Sequence, residues 1–155
     1  MKTQSLVLLI LLPLAGCAWH AGSSSVPLPG KPGFDMYVVE KGRQLVLANE
    51  CNDCHTRGYL ADGDRIPLDD WLTGDSFGWH GPWGVSYASN LRLSISGMGQ
   101  DEWVGMAKHL KARPLMPWST LNEMSTGELA AIYQFVRYLG PKGEPVPATV
   151  KQPGG

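Results

Sequence analysis

Cys51-Asn52-Asp53-Cys54-His55 is the stretch that decides the fold of this 155-residue chain. It has the pattern C-x-x-C-H, which is the attachment sequence of a c-type haem. Two cysteines three residues apart on a turn of helix can each add to one vinyl group of a haem. The histidine that follows then lies under the iron as its proximal ligand. The motif therefore predicts a chain built around one covalent haem c, held by Cys51, Cys54 and His55.

The first 16 residues have the order of an export signal, with Lys2, an apolar run over 6–12 and small residues before Cys17. The apolar run is too short to span a bilayer. Residues 14–17, Leu-Ala-Gly-Cys, resemble the lipobox of bacterial lipoproteins, which implies cleavage after Gly16 and lipidation of Cys17. We expect a periplasmic protein anchored in the inner or the outer membrane. The alternative is an ordinary signal peptide with a chance cysteine.

The number of cysteines agrees with both expectations, because three cysteines leave no free thiol if one carries lipid and two carry haem. A thioredoxin-like redox dithiol is the rival interpretation of Cys51 and Cys54. That motif belongs near a βαβ pattern, and the sequence shows none. A structural zinc site needs four nitrogen or sulfur ligands. The remaining histidines are scattered: His20, His80 and His109.

Composition predicts one small domain between two flexible ends. Residues 17–36 are rich in Ser, Pro and Gly and are expected to form a flexible tether behind the 1–16 signal peptide. Residues 141–155 have a similar Pro- and Gly-rich composition, which leaves 37–140 as the folded domain. The net charge of −1 argues against a nucleic-acid partner.

The sequence pattern places three helices. Ser125 and Glu128 form an S-x-x-E capping box ahead of an apolar repeat that runs to Leu139. A first helix runs from about Val39 to the haem motif and contains Gly42, which suggests close approach of another helix. A middle helix starts near Asp101 and Glu102, whose charges suit a helix N-terminus, and ends before Pro114. The long irregular stretch between residues 58 and 99 could wrap the haem.

The iron needs a sixth ligand or an open position. Met116 lies between Pro114 and Pro117, and each proline restricts the backbone around it. A thioether held out from a rigid loop suits a ligand aimed at iron. Met116 could instead fill a gap in the core, and Met98 or His80 would then be the next candidates.

Four segments in order carry a resemblance to a known family. They are Cys51–His55, the run Gly-Pro-Trp-Gly-Val-Ser-Tyr-Ala-Ser-Asn-Leu over 81–91, the run Arg-Pro-Leu-Met-Pro-Trp over 113–118, and the helix over 129–139. The chain resembles a monohaem class I cytochrome c over about residues 39–141, which implies an all-α fold of three or more helices with long loops around the haem. It is most similar to the cytochrome domains that serve periplasmic alcohol and sugar dehydrogenases. Those often carry three haem motifs, whereas this chain has one.

The resemblance implies specific roles for residues. His55 and Met116 would be the axial ligands, and the first and last helices would cross near Gly42, with Phe135 or Ile132 opposite. The carbonyl of Pro67 would hold the proximal histidine. Candidates to meet the haem propionates are Tyr87, Asn90, Arg92 and Arg113, and candidates for the haem wall are Trp83 and Trp118.

With both axial positions filled, the iron has no site for a substrate, so the expected function is single-electron transfer rather than catalysis by an enzyme. The expected partners are redox proteins: a dehydrogenase, an oxidase or another cytochrome. A group of aspartates could steer a basic partner, or could simply be a solvated loop: Asp62, Asp64, Asp69, Asp70 and Asp75. The alternative function is a haem enzyme or small-ligand sensor with an open or labile sixth position.

Overall fold

The predicted all-α fold is confirmed. A computed structural model describes residues 26–112 and 114–151, in which helices and long loops dominate. The helices of this part of the chain are α1 (Met36–Ala48), α2 (Cys51–His55), α3 (Tyr59–Asp62), α4 (Leu91–Ser96), α5 (Gln100–His109), α6 (Trp118–Glu123) and α7 (Thr126–Leu139). Three short strands accompany them: β1 (Trp79–Gly81), β2 (Gly84–Ser86) and β3 (Val150–Lys151).

Helix α7 starts at the predicted capping box. The Ser125 hydroxyl accepts the backbone N–H of Glu128 at 3.2 Å, and the Glu128 carboxylate accepts the backbone N–H of Ser125 at 2.8 Å. These bonds satisfy donors that the first turn of a helix leaves unpaired. The apolar face of the helix is buried, as its periodicity indicates: Leu129, Ile132, Tyr133, Phe135 and Val136.

Helices α1 and α7 cross at Gly42, as the resemblance implies. A Cβ at Gly42 would lie 2.6 Å from the carbonyl carbon of Ala131 and 2.8 Å from the Cβ of Phe135. Only glycine allows the two backbones this close. Helix α1 begins at Met36, three residues before the predicted start, because the Asp35 carboxylate accepts the backbone N–H of Tyr37 and caps the helix.

The middle helix α5 has Asp101 and Glu102 in its first turn, as predicted. Glu102 accepts the backbone N–H of Gly99 at 3.4 Å, which closes the N-terminal turn. Its buried side packs into the core through Trp103, Val104 and Ala107, whereas Met106 is exposed.

A small antiparallel sheet interrupts the irregular stretch between residues 58 and 99. Strands β1 and β2 form a hairpin with Trp79 opposite Ser86 and Gly81 opposite Gly84. Strand β3 pairs with the other edge of β2, with Val150 opposite Val85. The sheet therefore ties the end of the chain to the loop region that follows the haem motif.

Single residues in both ends predicted to be flexible pack against the domain. At the N-terminal end, Leu28 and Phe34 contact the core, and the Tyr138 hydroxyl donates to the carbonyl of Pro29 at 2.9 Å. At the C-terminal end, Val146 packs on Gly74. The folded part thus extends beyond the predicted limits of 37–140, because scattered apolar side chains anchor both segments despite their Pro- and Gly-rich composition.

The predicted signal peptide, Cys17 and the tether up to residue 25 lie outside the described residues. Among the helices of residues 26–151, none combines the length and the apolar character needed to cross a membrane.

Candidate functional site

The C-x-x-C-H motif forms the short helix α2, which follows a sharp change in chain direction. Glu50, just before it, has left-handed backbone angles (φ +54°). Cys51 and Cys54 are one turn apart, half-buried, and both are free thiols. The motif therefore presents two thiols and an imidazole from a single turn of helix.

The two thiols do not have the electrostatics of a redox dithiol. Burial raises the pKa of Cys51 to about 11, and burial also raises the pKa of Cys54. Reactive dithiols need a lowered pKa, because the thiolate is the nucleophile. Both thiols here stay protonated at neutral pH, which counts against the thioredoxin-like alternative.

His55 is buried, with 7% of its surface exposed. Its Nδ1 lies 2.7 Å from the carbonyl oxygen of Ser89. Burial lowers the pKa of His55 more than this hydrogen bond raises it, so the imidazole is neutral at pH 7. Because a carbonyl can only accept, Nδ1 carries the proton and Nε2 keeps a free lone pair, as a metal-ligating histidine requires.

The prediction that Pro67 holds His55 is wrong, because Ser89 supplies that carbonyl. The Pro67 carbonyl instead accepts the backbone N–H of Asp70 at 2.9 Å, within the tight turn that Pro67 begins. Ser89 is 34 residues from His55 along the chain, and no local sequence signal marks it.

Asn90 and Arg92, predicted to meet haem propionates, bond to the chain itself. The Asn90 amide oxygen accepts the backbone N–H of Leu93 at 3.1 Å as the N-cap of α4, and its amide nitrogen donates to the carbonyls of Lys142 and Glu144.

The guanidinium of Arg92, 2% exposed, donates to the carbonyls of Leu139, Gly140 and Asp69. It thereby closes the C-terminal end of α7 against the turn at residues 68–70.

The remaining predicted contacts lie just after β2 and in the segment that leads into the first turn of α6. The Tyr87 ring packs against Gly78, where a Cβ would lie 3.2 Å from Tyr87 Cε1. Met116 and Trp118 are half-buried, and the backbone N–H of Trp118 donates to the Met116 carbonyl at 2.9 Å. The roles of Tyr87, Met116 and Trp118 toward a haem stay predictions, and Arg113 lies outside the described residues.

Trp83, in the turn between β1 and β2, has a buried indole N–H. Its ring packs on the backbone of Gly81, and its indole Nε1 finds no hydrogen-bond acceptor among the described residues. An unpaired buried N–H costs about 1–3 kcal/mol. This donor is therefore suited to an acceptor supplied from outside the chain.

Two surface cavities are separate from the motif's side chains. One, of about 470 Å³, is lined by Arg57, Asp75 and the segment 143–147. The other, of about 520 Å³, lies beside the start of α1 and is lined by Leu28 and Tyr37. In the portion of the chain with described coordinates, no three His, Cys, Asp or Glu side chains cluster as a metal site would require.

The aspartates considered for steering are largely paired within the chain. Asp62 bonds Arg65 at 2.7 Å, and Asp75 lies 3.5 Å from Arg57. Asp69 and Asp70 both bond Lys142. Because these cations offset the negative charge locally, the group is a weak source of long-range attraction for a basic partner.

The chain is similar to one of the subunits of nicotinate dehydrogenase from Pseudomonas putida, with 25% identity over 139 residues. The similarity covers 84% of this chain and 11% of that protein, so the chain spans a small part of its relative's length. No protein-family model matches the chain. No solved structure matches it either.

Proposed function

We propose that this chain is a single-electron carrier with one covalent haem c. The observation that carries the proposal is the state of His55: buried, neutral, and fixed through Nδ1 by the Ser89 carbonyl, with two free thiols on the same helix. A bound haem would supply a one-electron ferrous–ferric couple, whose potential His/Met ligation raises.

The residues present fit a haem. Cys51 and Cys54 would form the thioether bonds, and His55 Nε2 would be the proximal ligand. The indole Nε1–H of Trp83, which has no acceptor among the described residues, could donate to a carboxylate. A haem carries two carboxylates, its propionates. The thiols, the imidazole nitrogen and the indole N–H differ in chemistry, and one haem c could bind all of them.

Met116 is the proposed second axial ligand. The Ser86 hydroxyl donates to the carbonyl of Pro114 at 3.0 Å, which ties the Met116 segment to β2. The backbone N–H of Trp118 donates to the Met116 carbonyl, so the backbone is held both before and after the Met116 side chain. A thioether on a segment held in this way loses little freedom when it binds iron.

Substitutions test the proposal directly. Cys51→Ser or Cys54→Ser should weaken covalent attachment, measured by haem staining of the denatured chain. Met116→Ala should remove the methionine–iron absorption band and lower the reduction potential, whereas Met98→Ala, the matched control, should keep both. A band that survives Met116→Ala and disappears in Met98→Ala would transfer the ligand role to Met98.

We also propose a periplasmic location with a lipid anchor at Cys17, and a redox partner protein such as a dehydrogenase. The similarity to part of a dehydrogenase supports a partner of that class. Cys17→Ser should move the protein from the membrane fraction to the soluble periplasmic fraction. Unaltered fractionation of this variant would contradict the anchor and leave the haem proposal standing.

A further inference from the structure

We propose that Thr56, backed by Asn52, is a positioning residue that fixes the orientation of His55 through Leu72 and Ser89. The inference rests on the proposed function, because the orientation of the imidazole matters only if His55 is a ligand. The residues concerned form a buried hydrogen-bond network next to the haem motif, and the Thr56 hydroxyl is the group of this network nearest to His55 in sequence.

The Thr56 hydroxyl lies between two buried partners. It donates to the Asn52 side-chain oxygen at 2.7 Å and accepts the backbone N–H of Leu72 at 2.8 Å. Asn52, Thr56 and Leu72 are 1%, 2% and 0% exposed. Thr56 directly follows α2, and its hydroxyl reaches back to the side chain of Asn52 in the first turn of that helix. The hydroxyl thus joins the haem-motif helix to a residue 16 positions further along the chain.

Leu72 holds a backbone conformation that leucine rarely adopts. Its φ is +61°, in the left-handed region, which is unfavourable for a residue with a side chain. Besides the bond to Thr56, the Leu72 carbonyl accepts the N–H groups of Leu91 and Arg92 at 3.0 and 3.3 Å. Such strain persists only where surrounding contacts determine the conformation. Thr56 and the first turn of α4 together provide those contacts.

The segment at residues 72–75 also controls where Ser89 lies. Ser89 comes two residues before Leu91, the first residue of α4. The Leu72 carbonyl, which holds the start of α4, therefore also limits where Ser89 can lie. Close to Leu72 along the chain, the backbone N–H of Gly74 donates to the His55 carbonyl at 2.7 Å, and the backbone N–H of Asp75 donates to the carbonyl of Ala88 at 3.2 Å. Residues 72–75 are therefore bonded to the haem motif on one side and to both flanks of Ser89 on the other.

Removing the hydroxyl while keeping the shape isolates this effect. Thr56→Val leaves the Leu72 N–H without its acceptor in a buried site. The segment at residues 72–75 should then shift or loosen, and Ser89 should move with it relative to His55. Thr56→Ser keeps the hydroxyl. Thr73→Val is the matched control, because the Thr73 hydroxyl bonds only its local turn, at the Asp70 carbonyl.

The experiment uses the purified haem-loaded protein and its variants. The haem-methyl proton shifts of the oxidised protein report the orientation of the axial histidine plane, and the reduction potential and amide hydrogen exchange of Leu72 are measured beside them. Thr56→Val should change the methyl-shift pattern and the potential, and speed exchange at Leu72 by about tenfold or more. Thr56→Ser should restore most of the wild-type values, and Thr73→Val should not alter them.

Faster exchange at Leu72 with an unchanged methyl-shift pattern in Thr56→Val would overturn the inference, since the network would then support the fold without orienting His55. If Thr56→Val does not fold, Asn52→Ala removes the acceptor that orients the Thr56 hydroxyl toward Leu72, and an unchanged methyl-shift pattern in that variant overturns the inference as well. Absence of covalent haem from the wild-type chain would instead overturn the proposed function.

Discussion

Gly42 on α1 and Ala131 on α7 are in backbone contact, because a Cβ placed on Gly42 would lie 2.6 Å from the Ala131 carbonyl carbon. The contact brings the two longest described helices together. Helix α1 leads directly into the turn that begins the haem motif. The crossing thus determines where the motif helix starts, and its close fit can be tested by adding a single methyl group.

Gly42→Ala should lower the free energy of unfolding by about 1–3 kcal/mol or more, because the methyl group has no space. The measurement is denaturant unfolding of the haem-loaded protein. Gly105→Ala is the control: Gly105 lies within α5 with open space around it, and alanine there should add about 0.5–1 kcal/mol. Equal stability of the two variants would contradict the crossing.

Ser125→Ala should lower the free energy of unfolding by about 1 kcal/mol, the usual value of an N-cap hydroxyl. The Ser125 hydroxyl accepts the backbone N–H of Glu128, and alanine cannot replace it. Thr126→Ala removes the neighbouring hydroxyl from an exposed position and should change stability by less than about 0.5 kcal/mol. A similar loss in both variants would show that the cap does not contribute specifically.

The capping box should also give an acid-sensitive contribution to stability. Hydrogen bonds from Ser125 lower the pKa of Glu128 below its ordinary value of 4.5. A carboxyl with a lowered pKa binds fewer protons in the folded chain, so its contribution is complete above about pH 4.5 and declines as the pH falls through the folded pKa.

The difference in unfolding free energy between wild type and Glu128→Gln should therefore shrink between about pH 6 and about pH 3. A difference independent of pH would contradict the proposed charge dependence.

Arg92→Met should lower the free energy of unfolding by about 3 kcal/mol, because it removes the buried guanidinium that donates to the carbonyls of Leu139, Gly140 and Asp69. Chemical denaturation measures the loss. Arg65→Met is the matched control, since Arg65 forms an exposed ion pair with Asp62 and should contribute less than about 1 kcal/mol. If Arg92→Met destabilises no more than Arg65→Met, the assigned structural role of Arg92 is wrong.

Local sequence signals predicted the three longest described helices, α1, α5 and α7, but not the short helices α3, α4 and α6. The capping box at Ser125, the apolar face of α7 and the acidic first turn of α5 all depend on residues a few positions apart. Gly42 also predicted its crossing, because a glycine within a helix is unfavourable unless another backbone needs the space.

Long-range partners could not be predicted in the same way. The carbonyl that bonds His55 belongs to Ser89 and is placed there by contacts through Leu72, whereas the predicted Pro67 carbonyl is used by its own turn. Composition likewise failed at the chain ends, because an average over Pro- and Gly-rich residues hides single anchors such as Phe34 and Val146.

The most direct test of the central claim is the absorption spectrum of the purified mature protein, reduced and oxidised, followed by carbon monoxide addition to the reduced form. We predict one haem per chain that stays attached after denaturation, a methionine–iron band in the oxidised spectrum, and no rapid carbon monoxide binding. A chain without covalent haem would contradict the haem site itself. Covalent haem that binds carbon monoxide at once would contradict the closed His55–Met116 pair and favour a haem enzyme or a sensor.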